Sequence, residues 1–298
     1  MTRIGFIGLG HMGLPMAKNL IKAGYTVTGF DLQATAMKDF TEAGGIAANT
    51  LKDTALSEDV IITMLQTGKQ VQEVCLGEEG LFAHAKKNAL FIDCSSIDVE
   101  TSRLLHDKAR HCHLLPVDAP VSGGVGGASA GTLTIMVGGS KEAFERAKII
   151  LNALGKTIIH TGVAGSGQAA KICNNMILGI SMIAVSEAFV LAKHLDLAPE
   201  KLFEVVTHSS GQCWAMSHYV PVPGLLENVP ANNDYKAGFT AKMMLKDLSL
   251  SQQTAGKMNI ATPMGKKATE LYQELNNNGM AELDFSVIIK TIGASGQD

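Results

Sequence analysis

Six residues near the start of the chain, Gly8-Leu9-Gly10-His11-Met12-Gly13, carry glycine at the first, third and sixth positions. Between a strand and a helix, that spacing cradles the pyrophosphate of a dinucleotide. The strand-like run 5–7 precedes it and the helical pattern 14–20 follows, so the context is present. Gly8 permits the tight turn, Gly10 lets backbone amides approach the phosphates, and Gly13 lets the helix pack close on the strand. The helix N-terminus adds unpaired N–H groups and a partial positive charge. All six residues, Leu9, His11 and Met12 included, are therefore cofactor-binding candidates.

Eighteen residues past Gly13 stands Asp31, at the end of a second strand-like run. An acid there accepts hydrogen bonds from both ribose hydroxyls and repels a 2′-phosphate. The following Leu32 and Gln33 supply no arginine to neutralise one, so Asp31 and Leu32 mark a site for NAD rather than NADP.

These residues need a scaffold that brings strand ends together. Strand-like runs at 3–7, 26–30, 60–64, 90–93, 114–118, 132–137 and 157–160 alternate with helical stretches such as 15–23 and 34–43. That alternation predicts an α/β domain with a doubly wound, mainly parallel sheet covered on both faces. From about residue 163 the pattern turns all-helical, with helices expected at 165–194, 199–209, 241–257 and 263–276. The expected domains are thus 1–162 and 163–298. Residues 214–237, rich in proline, asparagine and glycine, read as a long loop, a kind of segment that is often functional. Leu65, Gln66 and Ser96 follow the third and fourth strands, where the crevice that holds a dinucleotide lies.

The length of 298 residues fits two domains. A net charge of −3 offers no basic stripe for nucleic acid. Five cysteines, an odd number without a CxxC pair, favour a reducing compartment over a disulfide framework. His111-Cys112-His113 has no matching ligand cluster and reads as a surface segment, so no metal is expected. Residues 3–6 run straight into a strand and leave no room for a targeting segment, which predicts a cytoplasmic protein. The apolar stretch 176–192 contains Ser181, Ser186 and Glu187. It reads as a buried helix, with no membrane partner.

Four ordered segments resemble one family. The run from Phe6 to Leu20 is similar to the opening signature of the β-hydroxyacid dehydrogenases. Asp118-Ala119-Pro120-Val121-Ser122-Gly123-Gly124 resembles their substrate loop. The run from Gly165 to Asn175 resembles their catalytic helix, and Lys246-Asp247-Leu248 their C-terminal signature. The resemblance spans nearly the whole chain and implies a Rossmann domain followed by a helical one. Ser210 to Trp214, Tyr219 to Gly224, Asn232 to Tyr235 and Gly238-Phe239 are similar to the branch that oxidises 3-hydroxyisobutyrate to methylmalonate semialdehyde in valine breakdown.

By this resemblance Lys171 is the general acid/base. The residue type agrees: a lysine inside an apolar helix is costly to bury charged, and burial lowers its pKa toward neutrality. The competing reading is a lysine that reaches solvent from the helix start. Asn175, four residues on, shares its face and is a second catalytic candidate that also meets substrate; Asn174 is a weaker one. Ser122, Gly123 and Gly124 offer a hydroxyl and free amides to a substrate carboxylate, whereas Asp118 reads as structural. The resemblance adds Asp247 to the substrate site, assigns Lys246, Leu65, Gln66, Gln70 and Ser96 to NAD, and implies a homodimer or homotetramer. Gln66 and Ser96 depart from the proline and threonine frequent in the family. Trp214 and Phe239 wall the substrate pocket or pack as core. Sister reductases acting on tartronate semialdehyde, glyoxylate or succinic semialdehyde are the nearest alternative. A non-catalytic NAD sensor is the alternative of another class, opposed by the presence of Lys171.

Overall fold

Strands β1 (Arg3–Ile7), β2 (Thr26–Phe30), β3 (Ile46–Ala47), β4 (Val60–Thr63), β5 (Leu90–Asp93), β6 (Leu115–Asp118), β7 (Val121–Ser122), β8 (Leu133–Gly139) and β9 (Gly155–Gly162) form one sheet in the computed structural model, which describes residues 2–293. The helices are α1 (Gly13–Lys22), α2 (Ala34–Glu42), α3 (Gly68–Cys75), α4 (Leu81–His84), α5 (Val99–His111), α6 (Gly124–Ala130), α7 (Lys141–Leu151), α8 (Ser166–His194), α9 (Pro199–Thr207), α10 (Trp214–Ser217), α11 (Ala241–Lys257) and α12 (Pro263–Leu275). The chain divides into two compact units, Met1–Lys171 and Ile172–Asp298.

In the first unit the sheet runs β3-β2-β1-β4-β5-β6, all parallel. The order reverses between β1 and β4. That switch point is where a doubly wound sheet opens a crevice at its carboxyl edge. β6 and β7 then pair antiparallel with one side of β8, and β9 joins the other side in parallel. Alternation along β1 explains the two covered faces. Ile4 and Phe6 enter one core with Met16, Leu20, Val27 and Phe40. Ile7 enters the opposite core with Ile61, Val71, Phe91 and Leu105. Gly5 is required between them, because a Cβ there would meet Thr54 O at 1.8 Å.

The dividing point at Lys171/Ile172 falls inside α8 rather than ahead of it, because the first turn of that helix lies on the sheet. A Cβ on Gly167 would sit 2.3 Å from Met136 O of β8 and 2.7 Å from Asp118 O of β6. The second unit is helical among its described residues, around a core that includes Met182, Phe189, Met244, Leu248, Tyr272 and Phe285. α8 is long and apolar enough to cross a membrane by length and composition, with 44% of its most apolar window buried. Its buried residues Met182, Ile183, Val185 and Phe189 serve the helical core. Ile177 and Leu191 are more than half exposed, so the expected burial holds for one face of the helix in the isolated chain. The loop 214–237 holds the short helix α10 and a single turn at Pro230–Asn233.

Candidate active site

The glycine loop lies at the switch point, after β1. Gly8 adopts φ +93°, and a Cβ there would meet Met64 O at 2.3 Å. A Cβ on Gly13 would meet Gly8 O at 1.8 Å, so α1 can start only on a glycine. Gly10 differs: its missing Cβ would point into open space. The loop is thus held tightly at both ends and open in the middle. That is the room a pyrophosphate needs to reach backbone amides, and the residues present fit a dinucleotide.

Asp31 reaches this loop directly. Its Oδ2 accepts from Leu9 N at 2.6 Å and its Oδ1 from Gln33 N at 2.8 Å. Each carboxylate oxygen can accept more than one hydrogen bond, so a ribose hydroxyl can still be received. Leu32 is 92% exposed beside it. On the other side of the crevice, Leu65 packs over Gly8 and its N–H donates to Ser95 Oγ at 2.9 Å. Gln70 has a second duty. It completes a capping box with Thr67 at the start of α3, and its Oε1 also accepts from Gln66 N at 3.1 Å. Ser96 is half-buried in the loop after β5.

Beneath that loop lies a buried polar network that sequence reasoning missed. Asp93 Oδ1 accepts from Thr63 Oγ1 at 2.9 Å and Ser95 N at 3.1 Å, while its Oδ2 has no hydrogen-bond partner. Burial pushes its carboxyl up to about 6, against the pull of the bonds from Ser95 and Thr63. Asp118 Oδ1 accepts from Gly165 N at 2.8 Å and pairs with His106 Nε2 at 2.9 Å. Its Oδ2 accepts from Gln168 N at 2.9 Å. Two amides at the start of α8 are therefore capped by a strand-end carboxylate fifty residues away or nearly so. Lys171, three residues beyond Gln168, is only 8% exposed. Ser122 ends β7, and Gly123 and Gly124 follow with φ +135° and +62°, turning the chain into α6.

In the second unit, Asn175 is buried, its Oδ1 accepts from Asn174 Nδ2 at 3.0 Å, and its Nδ2 donates to Asp247 Oδ2. Asp247 Oδ1 accepts no hydrogen bond and lies 3.4 Å from Lys246 Nζ. Trp214 and Phe239 belong to one aromatic row. Trp214 stacks on Tyr219 at 5.1 Å, Tyr219 on Phe285 at 5.3 Å, and Phe285 meets Phe239 edge-on at 5.7 Å. Asp284 fixes the row by accepting from Tyr219 Oη at 2.9 Å, Gly238 N at 3.0 Å and Phe239 N at 3.1 Å. Burial and that carboxylate raise the Tyr219 phenol far above its usual range, so it acts as a donor and not as an acid. Among the described residues no group of three or more His, Cys, Asp or Glu side chains could hold a metal ion.

A glycine loop open at one position, an acid on it and a buried lysine in the same unit define a dinucleotide-dependent oxidoreductase. Comparison with known proteins gives the family. Residues 3–162 match the model of the NAD binding domain of 6-phosphogluconate dehydrogenase, and residues 165–292 match that of the NAD-binding of NADP-dependent 3-hydroxyisobutyrate dehydrogenase. The chain is 46% identical to the NAD-dependent L-serine dehydrogenase of Pseudomonas aeruginosa, over 97% of each chain. It is 45% identical to the 3-hydroxyisobutyrate dehydrogenase of that organism, over 97% of this chain and 98% of that one. The solved structure of Mycobacterium tuberculosis 3-hydroxyisobutyrate dehydrogenase with L-serine superposes with a TM-score of 0.94 at 43% identity, covering 98% and 99% of the two chains. The chain belongs to the β-hydroxyacid dehydrogenase family. It is an NAD-dependent oxidoreductase acting on a CH–OH group.

Proposed function

We propose that the protein oxidises 3-hydroxyisobutyrate to methylmalonate semialdehyde with NAD, as a step of valine breakdown. The observation that carries this reading is Lys171, nearly buried in the unit that also carries the open glycine loop. Lys171 Nζ takes the substrate's hydroxyl proton during oxidation and returns it during reduction. NAD, when bound, supplies the hydride acceptor. Ser122 and the amides of Gly123 and Gly124 receive the substrate carboxylate. Asn175 and Asp247 orient the hydroxyl end, with Trp214 and Phe239 as apolar wall. The six loop residues from Gly8 to Gly13, together with Asp31, Leu32, Leu65, Gln66, Gln70, Ser96 and Lys246, hold the cofactor. The functional division expected at 162/163 lies nine residues ahead of the structural one at Lys171/Ile172, so Lys171 works with the first unit.

L-serine is the second reading, favoured by the name of one relative and the ligand of one solved structure. Both acids carry CH2OH and carboxylate on the same carbon, and differ there by methyl against ammonium. Initial rates with 3-hydroxyisobutyrate, L-serine, 3-hydroxypropionate, glycerate and 4-hydroxybutyrate, each with NAD and NADP, separate them. A higher kcat/KM for 3-hydroxyisobutyrate with NAD supports the first reading, and a higher value for L-serine replaces it. Preference for glycerate or 4-hydroxybutyrate moves the protein to a sister branch, and NAD binding without turnover revives a sensor.

The protein works in the cytoplasm as a homodimer or homotetramer. The exposed apolar side chains Ile177, Leu191 and Leu195 on and just after α8 favour self-association. Sedimentation as a monomer at assay concentration rejects it.

A further inference from the structure

One side chain ties the loop after β5 to the first turn of α8. Gln168 is fully buried. Its Oε1 accepts from Ile97 N at 3.1 Å, and its Nε2 donates to Ser95 O at 2.7 Å. Its own N–H is held by Asp118 Oδ2 at 2.9 Å. Both ends of the amide are engaged, so turning it strands a backbone donor and a backbone acceptor in the core. The two backbone groups flank Ser96, assigned above to the cofactor. Lys171 lies three residues from Gln168, on the same helix face. Ser95, gripped by Gln168, also accepts from Leu65 N through its hydroxyl at 2.9 Å. A single amide thus connects the two strand-end loops of the crevice with the turn that carries the lysine.

We propose that Gln168 is a positioning residue, whose two-ended hydrogen bond fixes the lysine-bearing turn relative to the Ser95–Ile97 loop and so aligns proton transfer with hydride transfer. It rests on the reading of Lys171 as the acid/base. The site requires one donor and one acceptor at fixed separation. A hydrocarbon leaves two backbone groups unpaired, and an ionised carboxylate accepts from Ile97 N but repels Ser95 O. A protonated carboxyl has the right pair of groups. Gln168→Glu is therefore a titratable probe, whose carboxyl is pushed up by burial and by the facing carbonyl. The charged and titratable groups on the elements packed there include Asp118 with His106 behind it, Asp93 two residues before Ser95, Asp98 next to Ile97, Arg103, whose Nε donates to Ala164 O, and Lys171 on its own helix.

The test compares wild type, Gln168→Glu, Gln168→Asn and Lys171→Ala between about pH 6 and 9, reading kcat, KM, the Kd for NAD by titration, and Tm. A displacement of about 1 Å at a reacting group costs on the order of 100-fold in rate. Gln168→Glu should therefore lose about 10- to 100-fold in kcat near pH 9 relative to wild type, with that gap narrowing toward pH 6, while KM and Kd move less than about threefold. Gln168→Asn, one methylene short of bridging both groups, should lose kcat at every pH. Wild-type kcat in folded Gln168→Asn, or a loss in Gln168→Glu that does not change with pH, overturns the proposal. So does a change confined to Tm. Near-normal turnover in Lys171→Ala sinks the acid/base reading instead; normal turnover in the Gln168 variants beside an inactive Lys171→Ala sinks the positioning role alone.

Discussion

Asp31, after β2, and Asp118, at the end of β6, are the same residue type at the same topological place, the carboxyl end of a parallel strand. Asp31 is half-buried and spends its bonds on the glycine loop and on Gln33. Asp118 is 1% exposed and spends its bonds on His106 and on two amides of the turn that starts α8. One half of the edge is therefore left partly open, and the other is closed by the protein's own helix. The difference lies in what covers each carboxylate. A strand-end acid with room above it serves substrate or cofactor, and one under a helix N-terminus serves as that helix's anchor.

Variants at the two halves should separate cleanly. Lys171→Ala, on the closed half, should lower kcat by about 10²- to 10⁴-fold while the Kd for NAD stays near wild type; turnover within a few fold of wild type would mean that the helix carries no acid/base. Asp118→Ala should cost about 3 kcal/mol or more of stability, because it leaves a buried histidine and two amides unpaired. Urea unfolding reads this, and a loss under about 1 kcal/mol would show that the helix start needs no carboxylate. Asp93 sharpens the contrast through pH. Its folded value of about 6 lies above the ordinary 3.8, so the fold binds the proton more tightly than the unfolded chain does. Stability contributed at this site is present below about pH 4, is lost as pH rises to about 6, and stays lost above. The stability of Asp93→Asn relative to wild type should accordingly improve by about 2–3 kcal/mol between those limits. A difference that is flat with pH would place the proton elsewhere. Asp31→Ala, on the open half, should weaken NAD by about 1–2 kcal/mol and narrow the preference over NADP, with little change in unfolding. An unchanged cofactor ratio would mean that the acid does not meet the ribose.

The strands that alternate in period two or run continuously apolar were readable, and β1 and β2 begin and end where the pattern says. β3 and β7 were not, since two residues carry no period. The glycine-rich stretch 124–130 carries no apolar helical period, yet it forms α6, whose Ala128 is buried and accepts from Asn19 Nδ2 at 2.7 Å. Tertiary contact there overrides poor helix propensity. Gln70 carried a readable signal, the Thr67-to-Gln70 spacing of a capping box. Gln168 and His106 carried none beyond their residue types, because their partners lie up to 73 residues away in the chain. The glycines at 138 and 167 belong to the same hidden layer. Each leaves the space into which the Asp118 carboxylate fits, at 2.5 Å and 2.8 Å from where a Cβ would stand.

The placement of the first turn of α8 on the sheet bears on how the chain acquires its structure during synthesis. A nascent chain of 162 residues already contains every strand of the sheet. It still lacks the amides of Gly165 and Gln168, so the Asp118 carboxylate has only His106 to bond. The unit should become self-sufficient only when residues 165–171 have left the ribosome, because until then Asp118 Oδ2 at its carboxyl edge lacks the amide it bonds in the folded chain. A gene fragment ended at residue 171 should therefore yield a well-behaved isolated domain. One ended at residue 162, where the strands stop, should yield material prone to aggregate.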